Sequence, residues 1–347
     1  MSKKRYIIPI FVPHLGCPHD CIFCNQRKIT NQKQAVNTQE IIEIIERHLS
    51  YFPESNKTKE IAFFGGSFTA IDRELMIAYL EIAKSYKDKN IIDEIRLSTR
   101  PDCIDQEILD ILKSYGVDII ELGVQSMDDQ VLEANNRGHD SASVYTASKL
   151  IKDNAFVLGH QIMPGLYLDS FEKTIESAKK SIEIGPDIVR IYPTLVVKDT
   201  YMEFLFREGL YQPLSLEEAI DISGKLLQMY SKAGINVIRI GLQVTENINL
   251  DKDVVAGPFH PSLRQLVEQK IYLDRLKEII NKNNLSRMEK IEIISNKAYT
   301  SSLVGNKGVN KAELMEEYGF REIAFSQIEK DKIYLIAEEK SYEVGII

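Results

Sequence analysis

One unit recurs along most of this chain: a short apolar strand pattern followed by an amphipathic helix pattern, roughly every 30 residues. No other feature narrows the fold as far. Strand patterns fall at 6–12, 60–67, 95–101, 118–122, 156–162 and 188–193, with a seventh at 235–240. Thr38 reads as the cap of a helix whose apolar face is Ile41, Ile44, Ile45 and Leu49. Further helices are expected at 72–86, 105–115, 141–153, 170–184, around 199–208 and at 215–232. Six or seven such units imply right-handed crossovers and a parallel sheet, either doubly wound and open or closed, fully or in part, into a barrel. The barrel is favoured by where the unusual residues fall. Gly65-Gly66-Ser67, Ser98-Thr99-Arg100, Gly123 through Ser126, Gln161 through Gly165 and Tyr192-Pro193-Thr194 all sit at carboxyl ends of strands, the face on which barrels build their sites. After the polar stretch Asn281-Lys282-Asn283-Asn284, strand patterns at 291–294, 321–327 and 332–337 and a helix near 311–318 predict a small α+β appendage. The expected domains are 1–280 and 281–347.

Three of the four cysteines, Cys17, Cys21 and Cys24, fall within eight residues in the spacing C-x3-C-x2-C. Three thiolates on a short loop can hold three irons of a [4Fe–4S] cube and leave the fourth iron open to an exchangeable ligand. Clusters used for electron transfer normally take four cysteines. Two other readings stay open on spacing: a structural zinc site completed by His14 or His19, and a thioredoxin-type redox pair in Cys21-Ile22-Phe23-Cys24. A chain of 347 residues needs no disulfide framework to bury a core. Cys103, beside Pro101 and Asp102, reads as a semi-buried thiol that packs as a small hydrophobe.

The chain is 44% apolar and 27% charged, the balance of a globular protein large enough for a barrel and a smaller unit. No apolar run approaches the ~20 residues that a membrane-spanning helix needs. Basic Met1-Ser2-Lys3-Lys4-Arg5 leads straight into a strand pattern without a small-residue cleavage site, so no signal peptide is expected. A net charge of −8 argues against a chain-wide nucleic-acid footprint, and DNA is not an expected partner. Residues 1–35 differ: Lys3, Lys4, Arg5, Arg27, Lys28 and Lys33 stand against Asp20 alone, either a solvated basic face or a contact for RNA. Residues 281–347, with 10 basic and 11 acidic side chains, show no such surface.

The cysteine spacing is the short signature of the radical S-adenosylmethionine (SAM) superfamily, which this chain resembles. Glu121-Leu122-Gly123-Val124-Gln125-Ser126, Asn136-Arg137-Gly138-His139, Ile162-Met163-Pro164-Gly165-Leu166 and Ile191 through Val197 are similar to the radical SAM half of the Elongator catalytic subunit. With Ser98-Thr99-Arg100-Pro101-Asp102 and the cysteine loop, the likeness covers residues 5–270 or thereabouts. The resemblance implies a partly open (β/α)6 TIM-like barrel and a cluster on Cys17, Cys21 and Cys24 whose open iron chelates SAM. One electron then cleaves the sulfonium to methionine and a 5′-deoxyadenosyl radical. It also implies that Phe23 lies near the adenine and that Gly65-Gly66-Ser67 offers backbone carbonyls to the methionine ammonium. Gln125, a donor and an acceptor together, suits the ribose hydroxyls. The fork of Arg137 suits the SAM carboxylate; the alternative for Arg137 is a surface pair with Asp128 or Asp129. Ser98, Gln161 and Tyr192 are further candidates to line the cofactor pocket. The plainer reading of Gly65-Gly66 is a tight turn; a hydrogen-bonded structural histidine is one reading of His139 and the preferred one of His160.

Departures bear on function. The Elongator proteins have wider spacing before the second cysteine, Glu where this chain has Ser98, and Gly-Leu-Pro-Gly where it reads Gly165-Leu166-Tyr167-Leu168. They also add an acetyltransferase domain, for which the residues after the barrel leave no room. The expectation is a cytoplasmic radical SAM enzyme reduced by a partner such as flavodoxin or ferredoxin and acting on a tRNA base. The same chemistry on a small molecule or peptide is the alternative, and a non-catalytic iron–sulfur or zinc module a third. Residues 254–263 read as a lid over the substrate or as a connecting loop.

Overall fold

Seven strands run parallel in one curled sheet. In the computed structural model, which describes residues 5–12, 21–25, 36–53, 57–242 and 252–347, they belong to the series β1 (Arg5–Val12), β2 (Thr58–Gly65), β3 (Glu94–Thr99), β4 (Ile119–Gln125), β5 (Val157–Ile162), β6 (Ile188–Ile191), β7 (Val196–Val197), β8 (Asn236–Ile240) and β9 (Val254–Ala256). The order is β1-β2-β3-β4-β5-β6-β8, every neighbouring pair parallel. Among the described residues β1 and β8 do not pair with each other, so the barrel is partly open. Its α/β class and TIM-like form follow the repeat read in the sequence.

Side chains of a strand alternate between faces, and here the two faces have opposite character. Ile8, Ile10, Ile61, Phe63, Ile95, Leu97, Ile120 and Leu122 pack outward against the helices, in one core with Ile41, Ile45, Tyr79, Leu80, Leu109 and Ile151. Burial of each such side chain is worth about 1.5–3 kcal/mol, which is what fastens the helices to the sheet. The interleaved positions Glu60, Arg96, Glu121 and Arg190 face inward and are buried.

Helix starts follow the strand ends and are capped by short polar side chains. Asp72, Asp105, Asp128, Asp140, Ser170 and Ser215 each accept a backbone N–H of the first turn. At the first helix, Thr38–Tyr51, the cap is Asn37 and not Thr38: Asn37 and Glu40 form a reciprocal capping box, and Thr38 is the first helical residue.

The helix Leu263–Lys282 runs through the polar residues expected to start a linker and is shared by two cores. Leu263, Val267 and Ile271 pack into the barrel core, while Tyr272, Leu273, Leu276 and Ile280 pack into the second. That second core lies under a four-stranded sheet of β10 (Lys290–Ser295), β11 (Glu322–Gln327), β12 (Ile333–Ala337) and β13 (Lys340–Val344), ordered β11-β10-β12-β13. The last strand and the helix Lys297–Val304 were not anticipated. The lid-or-loop segment opens with β9, which pairs antiparallel with β7 and is held by the Lys198 N–H to the Asp253 carbonyl at 2.8 Å. Among the described residues no helix is long and apolar enough to cross a membrane.

Candidate active site

Residues 21–25 of the cysteine loop are held at the carboxyl end of β4. Of its three cysteines, Cys21 and Cys24 are described, and Cys17 lies outside the described residues. The Cys24 N–H closes a turn on the Cys21 carbonyl at 3.0 Å. Ile22 is clipped from both sides, its N–H donating to the Asn135 carbonyl and its carbonyl accepting from the Met202 N–H at 2.8 Å. Phe23 and Cys21 are buried in an apolar cluster with Val131, Leu166, Met202, Leu205 and Tyr211.

Arg137 joins this loop to β4. Its Nη1 donates to the Cys21 Sγ at 3.2 Å and its Nη2 to the Gly123 carbonyl at 2.6 Å, while its Nε is buried without a partner. The surface-pair alternative does not hold, because Asp128 caps its helix and meets Lys173 and Asp129 accepts from Ser141. At Gly123 a Cβ would come within 3.1 Å of the Gln125 Nε2 and 3.3 Å of the Arg137 Nη2, so the glycine makes room for both. Gln125 sits at a register shift between β4 and β5 with φ +66, a conformation uncommon for a non-glycine residue and concentrated at functional sites. Its Oε1 is buried and unpartnered. An acceptor and a guanidinium donor, both orphaned beside a cysteine thiol, fit a cluster with a ligand that carries hydroxyl and carboxylate groups, since buried polar atoms rarely stay unpaired.

Ser67 is turned the other way. Its Oγ bonds the Thr99 Oγ1 at 2.8 Å and accepts from the Arg100 N–H at 3.1 Å, and Thr69 extends the chain of hydroxyls to the Cys103 carbonyl. These bonds fix the β2 end, where Gly65 adopts φ +105 and the Gly66 N–H donates to the Val12 carbonyl at 3.0 Å. Ser98, Gln161 and Tyr192 come together below, around a network that sequence reasoning missed. Arg96 grips Glu60 through two bonds and reaches Glu121 at 2.5 Å; Arg190 holds Glu121 through two more, at 2.6 and 3.0 Å. The Gln161 Nε2 donates to Glu121 and Ser98, and Arg190 donates to the Tyr192 hydroxyl and lies over the Phe64 ring. Burial pushes the Glu121 carboxyl up, but the Arg190 and Arg96 cations outweigh it and hold it below its ordinary value. Arg5, counted above with the basic N-terminal residues, is instead bound to Glu60 and Glu94 at the opposite end of the barrel; the other five cations of that patch lie outside the described residues.

The two histidines differ. His160 bonds Ser148 and Ser181 through its two ring nitrogens, the structural role expected of it. Burial, then the Lys152 charge, pushes it down to about 3. Such a group stays neutral in the folded protein while the unfolded chain protonates near 6.5, so the stability it lends is lost as pH falls below 6.5. The unfolding free energy should drop by about 1.4 kcal/mol at pH 5.5 on its account, and urea titrations of His160→Gln against the parent at pH 7.5 and 5.5 should show the variant losing less. His139 also is held neutral, down to about 3, by burial first and then by Arg137, against the opposing Asp102. Unlike His160 it bonds no side-chain hydroxyl among the described residues, and Asp102 lies 3.9 Å from its Nδ1.

Asn135 is a site residue that sequence reasoning passed over. Fully buried, it donates to the carbonyls of Val131 and Tyr167 while its own carbonyl receives Ile22. It lies one position before the Arg137 segment, and its bonds span 32 residues to Tyr167 and more than 100 to Ile22, which no local pattern reports.

Residues 11–178 match the sequence family described as the Radical SAM superfamily, and residues 186–272 match the Radical_SAM C-terminal domain. An uncharacterized protein of Methanocaldococcus jannaschii is 33% identical over 66% of this chain and 73% of its own length. The tRNA uridine(34) acetyltransferase of the same organism is 32% identical over 47% of this chain, which spans 34% of that relative's length. Among solved structures, the archaeal Elp3 of Methanocaldococcus infernus superposes with a TM-score of 0.59 at 21% identity, covering 82% of this chain and 64% of that one, a likeness of fold. With the barrel curled as that family's is and a cysteine pair seated at its strand ends, these matches place the chain in the radical SAM superfamily, whose enzymes work with a [4Fe–4S] cluster and SAM and need a reductant.

Proposed function

We propose that Cys17, Cys21 and Cys24 hold the [4Fe–4S] cluster, that SAM binds across the ends of β2 and β4, and that the enzyme modifies tRNA. The observation that carries this reading is the Arg137 guanidinium, bonded at once to the Cys21 thiol and to β4 beside the unpartnered Gln125 Oε1. When bound, the cofactor pair supplies a 5′-deoxyadenosyl radical by one-electron cleavage of a carbon–sulfur bond.

The protein's own part is to hold and to shield. Gly65 and Gly66, held by Val12 and the Ser67–Thr99 hydroxyls, bring backbone close to the methionine end with no Cβ in the way. Gln125 takes the ribose hydroxyls, Arg137 the carboxylate through Nε, and Phe23 the adenine edge. Ser98, Gln161 and Tyr192, oriented by Glu121 and Arg190, line the pocket from the lumen side. A flavodoxin or ferredoxin of the cytoplasm supplies the electron. The tRNA assignment is supported by the 32% identity to an enzyme named for tRNA uridine. A small molecule or peptide is the second reading, favoured by the net charge of −8 and by the engagement of Arg5 in ion pairs.

Protein reconstituted anaerobically with iron and sulfide, then given dithionite and SAM, should release 5′-deoxyadenosine. Intact cluster with no SAM cleavage sinks the proposal. Comparing the modified nucleosides of tRNA from cells with and without the protein decides between the two substrate readings: one missing nucleoside supports tRNA, and an unchanged set rejects it.

A further inference from the structure

We propose that Arg137 is a positioning residue that sets the reduction potential of the cluster through its hydrogen bond to Cys21. The inference rests on the reading above that Cys21 is a cluster ligand. The contact is built with little freedom. Arg137 is only 6% exposed, its N–H is tied to the Leu132 carbonyl at 3.0 Å, and it stands between Asn136 and Gly138, both with positive φ. The Gly123 carbonyl holds one arm of the fork at 2.6 Å while the other meets Sγ at 3.2 Å. Cys21 is equally confined, in the apolar cluster and by the bonds to Ile22 on its carboxyl side.

Among the described residues no carboxylate forms an ion pair with the Arg137 guanidinium, and Asp102 is engaged by Arg100 and lies 3.9 Å from His139. A guanidinium is always protonated. When the reductant passes one electron to the cluster, without a proton, negative charge grows on the coordinating sulfurs. A fixed cation donating a hydrogen bond to one of them stabilises that reduced form more than the oxidised one and raises the potential. The Nε is left buried without a partner.

The test is a redox titration, followed by electron paramagnetic resonance of the reduced cluster, on reconstituted protein without SAM. In Arg137→Gln the ratio of reduced to oxidised cluster at a fixed potential should fall about tenfold, which is 59 mV for a one-electron couple. Arg137→Lys, which keeps the charge but loses the fork, should fall by less. Gly123→Ala should fall in the same direction with Arg137 intact, because the added Cβ crowds Nη2 at 3.3 Å. Potentials equal to the parent's in these variants would overturn the proposal. If Arg137→Gln takes up no iron, Arg137→Lys and Gly123→Ala carry the decision. A parent protein that assembles no cluster counts against the proposed function instead.

Discussion

Replacing Glu121 by Ala should cost about 3–5 kcal/mol of stability, the range found when one partner of a buried ion pair is removed. At about 2–4 °C per kcal/mol, the melting temperature should fall by something on the order of 10 °C. The expectation comes from the count of charges inside the barrel. Glu60 and Glu121 balance Arg96 and Arg190, and the four are between 0% and 7% exposed. Glu121 is the shared member, accepting one bond from Arg96 and two from Arg190. Without it Arg190 loses its only carboxylate among the described residues and faces Arg96 across the lumen in a region of low dielectric. Glu121→Gln keeps the shape but not the charge, and should recover little. Glu121→Met combined with Arg190→Met should recover most, because removing both charges leaves no buried ion without a partner. Gly159 fits the same account: a Cβ there would lie 2.7 Å from the Glu121 Cγ, so the neighbouring strand leaves the space this side chain fills. Thermal melts of the single and double variants check the prediction, and equal melting temperatures for Glu121→Ala and the parent would refute it.

That network shows where reading the sequence stops. Strands and helices were legible because their signals are local: apolar alternation, and a cap such as Asp105 or Ser215 three residues before the N–H it accepts. The members of the ion network lie on separate strands, with separations of 36, 25 and 69 residues between bonded partners. Arg96, Glu121 and Arg190 each appear in the sequence as one charge between apolar neighbours, as in Ile95-Arg96-Leu97, whereas Glu60 directly follows Lys59. Only curling of the sheet brings the four together. An inward charge near the middle of β2, β3, β4 and β6 was the available signal. The site was legible to a similar depth. Gln125 and Arg137 were reached through the family likeness of their segments, but the bond from Arg137 to Cys21 spans 116 residues and no spacing rule reports it. The helix Leu263–Lys282 gives the reverse case, where a polar run that looks like a linker is the exposed end of a helix whose other face is apolar.

Cys21→Ala should abolish the cluster, while Cys103→Ser should leave it whole. The two substitutions separate a three-thiolate cluster from a four-cysteine electron carrier. Cys21 lies on the loop that Asn135 and Met202 clip to the strand ends, and its sulfur already receives the Arg137 fork. Cys103 ends a short turn after β3, where its backbone carbonyl serves the Thr69 hydroxyl. Iron content and the absorbance near 400 nm of reconstituted Cys21→Ala should therefore fall to background, with SAM cleavage lost below detection. The protein itself should remain folded, weakened by about 1–3 kcal/mol for a buried donor of Arg137 left without its acceptor. Cys103→Ser should match the parent in iron and in 5′-deoxyadenosine released. Iron lost from both variants would make Cys103 a fourth ligand and close the iron meant for SAM. Zinc retained by Cys21→Ala would instead point to a site built from other residues.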